Sequence, residues 1–201
     1  MINNFKKISE LLQFDSDDEF YFVQIIKRKK ENPELGSNNV VVHSYYISSA
    51  EQLLKLENEI ALLTALHNAR AYINLNRCSY ERVAFQTLKN VADRIMNKDF
   101  RSVKRAYNTC CGQFTIENLK KWVIDVDCPE GMFKNDVLYQ HFLNEILFAI
   151  KDIEPIGDKH VATIETRNGF HLITTPFNME KFSKLYPNVD VHKNNPTLLY
   201  Y

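Results

Sequence analysis

Glycine is scarce, with only five residues in 201. No Pro/Gly linker, internal repeat or low-complexity segment interrupts the chain. It therefore reads as one domain, or a compact pair of subdomains. A dominant charge is missing too: 25 Lys+Arg balance 25 Asp+Glu. A protein that coats nucleic acid non-specifically is usually basic. Any nucleic acid contact here must come from a local cleft. The run Lys27-Arg28-Lys29-Lys30 is one candidate, though such runs also serve as solvated strand ends or loops. No apolar run is long enough to span a bilayer. The opening MINNFKKISELLQF lacks the apolar core and cleavage site of a signal peptide. The expectation is a cytoplasmic protein with no membrane partner. Cysteine is sparse: Cys78, Cys110, Cys111 and Cys128, with no C-x-x-C pair. Vicinal geometry would strain a bond between Cys110 and Cys111. Reduced, mostly buried thiols are expected. A zinc site from Cys110, Cys111, Cys128 and a histidine is the alternative, but its spacing matches no common knuckle.

Aromatic and β-branched residues are plentiful, and they mark the strands. Residues 5–14 read as a short helix. FYFVQIIK (Phe20–Lys27) and VVVHSYYI (Val40–Ile47) read as strands of a hairpin, joined by the turn or loop ENPELGSNN. Ser48-x-x-Glu51 is a capping box. Leu53, Leu56, Ile60 and Leu63 then share one helical face to His67–Asn68. RAYINLN (Arg70–Asn76) alternates, with Arg70, Tyr72, Asn74 and Asn76 on its polar side. A helix runs from an N-cap at Ser79 to about Asn97, and residues 98–119 read as helix and loop. KKWVIDVD (Lys120–Asp127) is a strand. A helix spans 134–151, two strands meet at Asn168-Gly169, and a short helix covers 178–186. Two brief strands close the chain, separated by a turn at Asn194-Asn195-Pro196. Strands alternating with helices indicate a mixed α/β (α+β) domain, with sheets partly covered by helices. A boundary near residue 68 would separate an N-terminal hairpin-and-helix subdomain (1–68) from the remainder (69–201).

Three short stretches carry chemistry. In Trp122-Val-Ile-Asp-Val-Asp127, residues two apart share a face. Asp125 and Asp127 therefore point together, roughly 7 Å apart, while Trp122, Ile124 and Val126 cover the other face. Two carboxylates at the end of an apolar strand repel each other. A hard divalent cation, Mg²⁺ or Mn²⁺, would relieve that repulsion. A strand fraying at Asp125 would leave both solvated instead. In ETRNGFHLITTPF, Asn168-Gly169 is a hairpin signal, since a type I′ turn needs φ > 0 at both central residues. That turn would pair Arg167 with Phe170 and Thr166 with His171, so Thr166 and His171 would share a face. In VDVHKNNPTLLYY, Asp190 and His192 share a face, with Lys193 just beyond. Asp190 could supply a third carboxylate, and Lys193 a cation for phosphate. An ordinary surface hairpin would present the same residues.

The order is D-x-D on a strand, then G-x-H at a hairpin, then Asp on a strand. It resembles the archaeo-eukaryotic primase (primase-polymerase) superfamily, whose catalytic cores carry these three motifs in that order. Asp125 and Asp127 match the first motif. Thr166–His171 looks like the second, similar to variants with glycine two before the histidine, as in the polymerase domains of bacterial end-joining ligases. Val189–Lys193 resembles the third. RAYINLN followed by Arg77 and a helix resembles an upstream strand-then-Asn element of several plasmid and viral members. The resemblance covers roughly Arg70 to Tyr201. Many members have serine where this chain has Gly169.

The resemblance implies an RRM-like mixed sheet packed with helices, plus an αβ N-terminal unit, with the active site in the cleft between them. It implies template-directed transfer of NTP or dNTP to a nucleic acid 3′ end. Asp125, Asp127 and Asp190 would hold Mg²⁺ or Mn²⁺. His171 would contact the incoming phosphates, joined by Arg167, Lys193, Arg70, Asn74 and Thr166 as nucleotide-binding candidates. The partners would be single-stranded or primed nucleic acid, and a helicase or other replication protein. With no accessory region in sight, this would be a minimal core or one that works with a partner. The residues alone fit two other classes. One is a metal-dependent nuclease or phosphohydrolase. The other is a non-catalytic module that binds nucleic acid or a replication protein.

Overall fold

The computed structural model describes residues 1–36, 38–116, 120–132, 134–194 and 196–201. Among them the chain is mixed α and β, with two antiparallel sheets. It divides into two compact units. The first comprises Met1, Asn3–Asn118 and Leu198–Tyr201; the second comprises Ile2 and Leu119–Thr197. The first unit thus extends well beyond residue 68.

The strands of the first unit are β1 (Glu19–Lys27), β2 (Val40–Ile47), β3 (Arg70–Ile73) and β4 (Cys78–Ser79). The chain's last strand, β9 (Thr197–Tyr200), completes this sheet in the order β2-β1-β3-β9, with β4 also on β1. β1 lies at the centre, which is why it is apolar on both faces: Phe20, Tyr21, Phe22, Val23 and Ile25 are all buried. The expected β1–β2 hairpin forms, with Val23 opposite Tyr45. Two 3-10 turns, Lys29–Glu31 and Pro33–Leu35, lie in its connection. Lys27 of the basic run is paired with Glu34 at 2.7 Å.

Helix α1 is shorter than expected, Phe5–Ser9. The helical segment after β2 is two helices, α2 (Ala50–Lys55) and α3 (Glu57–His67). Its capping box is displaced by one residue. Ser49 Oγ accepts from Gln52 N at 3.0 Å, and Gln52 Oε1 accepts from Ser48 N at 2.7 Å. Asn68 closes α3 in the left-handed conformation, φ 46°. α4 (Tyr80–Met96) starts on Ser79 as expected, and α5 (Ala106–Gln113) follows. Phe20, Phe22, Cys78, Val83, Cys110 and Cys111 form one core cluster. Cys78 Sγ donates to Cys111 O at 3.3 Å, and burial pushes the Cys78 thiol up to about 12. Cys128 is a residue of the second unit.

The alternation of RAYINLN stops at Ile73. Asn74 Oδ1 accepts from Asn76 N at 2.9 Å, an Asx turn that ends the strand. Asn74 and Asn76 are therefore buried turn residues rather than a polar strand face.

The second unit runs β5 (Trp122–Asp127), α6 (Val137–Lys151), β6 (His160–Glu165), β7 (Gly169–Thr174), α7 (Met179–Leu185), β8 (Asp190–His192). Its sheet order is β6-β7-β5-β8, and neighbouring strands pair antiparallel. Asp136 caps α6, accepting from Leu138 N at 2.8 Å. The inward face of α6 (Tyr139, Leu143, Ile146, Ile150) packs with Trp122, Ile124, Val126, Leu172 and Phe182 of α7. Asn195, in the expected closing turn, lies outside the described residues. No helix among the described residues is long and apolar enough to cross a membrane.

The β6–β7 hairpin differs from its expected register. Glu165 pairs with Phe170 and Ile164 with His171, so the turn residues are Arg167 and Asn168. Thr166 N donates to Gly169 O at 2.9 Å, and Gly169 N donates to Thr166 Oγ1 at 3.1 Å. Neither Asn168 nor Gly169 has positive φ. The glycine serves a close approach instead. A Cβ at 169 would lie 2.0 Å from Val126 O, 2.6 Å from Tyr139 Oη and 2.9 Å from Asp127 Cα.

Candidate active site on the second sheet

The strand WVIDVD places its apolar side chains under α6 and α7, so Asp125 and Asp127 must take the opposite face. Cross-strand partners share a face. Asp125 is opposite Asp190 on one side and opposite His171 on the other. The result is a row across three strands, Asp190–Asp125–His171, and Asp127 lies two residues along from Asp125. Next to this row Val123 lies between His192 and Ile173. Beyond His171 stands the buried Ile164. One end of the face is thus apolar and the other acidic.

His171 is held from both ring nitrogens. Nε2 lies 3.4 Å from Asp125 Oδ1, and Nδ1 lies 2.9 Å from Thr197 Oγ1. Thr197 is fully buried, and the histidine side chain is only 13% exposed. In the neutral ring, Nε2–H facing the carboxylate leaves Nδ1 to accept from the Thr197 hydroxyl. Asp127 and Asp190 are exposed, and neither side chain makes a hydrogen bond or ion pair among the described residues.

Directly behind the acidic end, Tyr139 Oη donates to Val126 O at 2.6 Å. Burial, with Cys128 and Asp127 nearby, holds its phenol well above the ordinary value, so it stays a donor. Tyr139 and Gly169 together fix how closely β7 lies against β5 at the level of Asp127.

The remaining candidates divide. Thr166 is buried and its hydroxyl is engaged by Gly169 N. Arg167 is exposed in the turn beside it. Lys134, unremarked in the sequence, donates to Thr166 O at 2.8 Å and pairs with Glu165. Lys193 is not with the carboxylates: its Nζ lies 5.3 Å from the Trp122 ring centroid, on the helix side of the sheet. Strand parity explains this, since Lys193 follows His192, which shares the Asp190 face. Arg70 and Asn74 belong to the first unit. Arg70 is paired with Glu31 and lies 4.2 Å over the Tyr201 ring. Asn74 closes the turn after β3.

Among the described residues no three His, Cys, Asp or Glu side chains are gathered as a ready metal-ligand set. The backbone nonetheless opposes two carboxylates and adds a third two residues on. All-oxygen donors of this kind suit Mg²⁺ or Mn²⁺ rather than zinc. Compared with known protein families, characterised proteins and solved structures, the chain matches none.

Proposed function

We propose that the second unit is an RRM-like catalytic sheet for metal-dependent nucleotidyl transfer, a primase- or polymerase-like activity. One observation carries this reading: Asp125 is bracketed by Asp190 and His171 on one sheet face, with Asp127 beside it. The element order β-α-β-β-α-β and the strand order β8-β5-β7-β6 support it as an RRM-like arrangement. Three acidic side chains and an imidazole, from three motifs, share that face in the chain order of the resemblance.

Asp125, Asp127 and Asp190 are the residues that would hold the cation. When bound, Mg²⁺ or Mn²⁺ supplies charge for the triphosphate and acidifies the attacking 3′-hydroxyl. His171 does not need to be a metal ligand. Its Nε2–H is aimed along the carboxylate row, where a triphosphate oxygen would replace Asp125 as acceptor. With the Thr197 hydroxyl donating to Nδ1, Nε2 is the nitrogen that donates there. Arg167, exposed at the neighbouring turn, is the residue proposed to meet the outer phosphates.

The test is extension of a labelled primer on a single-stranded template, with Mn²⁺ and NTP or dNTP. The wild type is expected to extend the primer, and Asp125→Ala and His171→Ala to lose at least about a hundredfold in rate. Cleavage of the strand without triphosphate would instead assign the same carboxylates to hydrolysis. No reaction and no strand cleavage by the wild type would contradict catalysis.

A further inference from the structure

Helix α4 turns its apolar side outward. Phe85, Leu88, Ala92, Ile95 and Met96 fall within roughly a third of the helix circumference. The four large ones are 66%, 69%, 49% and 80% exposed. The side turned inward buries Val83 in the core and carries Gln86, Thr87, Asn90, Val91 and Arg94, all partly buried. Arg94 donates to Ser102 O and Thr109 Oγ1, so that face is committed. A continuous apolar stripe along a helix of 17 residues marks an interaction surface.

Charge identifies what covers it. The start of α4 is net acidic, with Arg82 its one exposed cation. Asp18 accepts from Ser79 Oγ and Glu81 N, and Asp17 and Glu81 are exposed. The segment past its end is net basic: Lys98, Arg101, Lys104 and Arg105 are exposed, against Asp99, which accepts from Ser102 Oγ. Near the middle, Lys89 and Asp93 stand one turn apart, both exposed and neither ion-paired among the described residues.

We propose that α4 is the interface of a two-fold homodimer, with two copies of the helix packed antiparallel about a point near Asn90. A two-fold interface is isologous, so each contact occurs twice. This register sets Leu88 against the partner's Ala92, whose small side chain lets the helices approach, and Phe85 against the partner's Ile95. It brings Lys89 within reach of the partner's Asp93, and Glu81, beside Arg82, within reach of the partner's Lys98. Parallel packing would instead bring like-charged ends together. The inference is independent of the proposed catalytic function.

Sedimentation equilibrium of the full chain tests it. The wild type is expected at twice its chain mass of 23.6 kDa. Leu88→Glu is expected at the monomer mass, with far-UV circular dichroism unchanged because the side chain is exposed. Lys89→Glu is expected to weaken the dimer about tenfold, and Lys89→Glu/Asp93→Lys to restore it to within about threefold. A wild type that stays monomeric up to about 100 µM overturns the proposal, as does a Leu88→Glu dimer of unchanged affinity. Failure of the double reversal to restore the dimer overturns the antiparallel register.

Discussion

Asp125 and Asp190 stand directly opposite each other on adjacent antiparallel strands. Like charges so placed cost a sheet roughly 0.2–1 kcal/mol. Asp190→Asn is therefore expected to raise stability by about 0.5 kcal/mol in chelator while weakening nucleotide binding. Adding Mn²⁺ should raise the melting temperature of the wild type and leave that of Asp125→Ala/Asp190→Asn unchanged. Thermal melts with and without the ion check both statements. A wild-type melt indifferent to Mn²⁺ would count against the carboxylates as a cation site.

Gly169 lies where β7 is tightest against β5. Gly169→Ala is expected to destabilise the second unit by about 3 kcal/mol, because the nearest obstacle is the backbone oxygen of Val126 at 2.0 Å. Tyr139→Phe alone removes one buried hydrogen bond and is expected to cost about 1 kcal/mol. The double variant should show no rescue, since the backbone clash persists. Urea unfolding of the three variants measures this, and substantial recovery in the double variant would shift the cause to the tyrosine hydroxyl.

Arg77 is buried in the first unit. It pairs with Glu19 at 2.6 Å and Asp15 at 2.8 Å, and also donates to Gln13 O at 3.2 Å. Glu19 is nearly buried, so Arg77→Met leaves its carboxylate with only the Asp15 N–H at 2.7 Å and is expected to cost about 3 kcal/mol. Asp15 is 71% exposed, so Asp15→Asn should cost under about 0.5 kcal/mol. Equal effects in denaturant melts would contradict this ranking.

The first unit should lose stability in alkali. Burial raises Cys78 from 9.0 to about 12 and Tyr107 from 10.0 to about 12. In that window the unfolded chain releases protons that the folded chain keeps. The stabilisation is complete below the unfolded pKa and falls as pH rises toward about 12, by up to about 1.4 kcal/mol per pH unit for Cys78 and by less for the partly solvated Tyr107. Cys78→Ala is expected to flatten the fall above about pH 9. Stability that holds level between neutral pH and about pH 10.5 would contradict the buried-thiol account.

Much of the fold was legible because periodicity and burial agree. β1 and β2 were marked by their aromatic and β-branched residues, α4 by its Ser79 cap, and β5 and α6 by apolar residues that meet in one core. The D-x-D parity was legible for the same reason, since Trp122, Ile124 and Val126 have one place to go. The hairpin at Asn168 misled because Asn-Gly reports turn chemistry, whereas Gly169 answers to a strand and a tyrosine far away in sequence. RAYINLN misled because Asn74 competes for a backbone N–H and ends the strand early. Thr197 carried no signal, since its contact with His171 spans 26 positions. Lys193 was placed by proximity in sequence, when strand parity sends it to the other face.

Calorimetric titration of NTP and dNTP with Mn²⁺ tests the central claim most directly, comparing the wild type with Asp125→Ala/Asp127→Ala. The account predicts saturable, metal-dependent binding to the wild type and at least about a hundredfold loss in the variant. Absence of binding to both proteins, or equal binding to both, would contradict it.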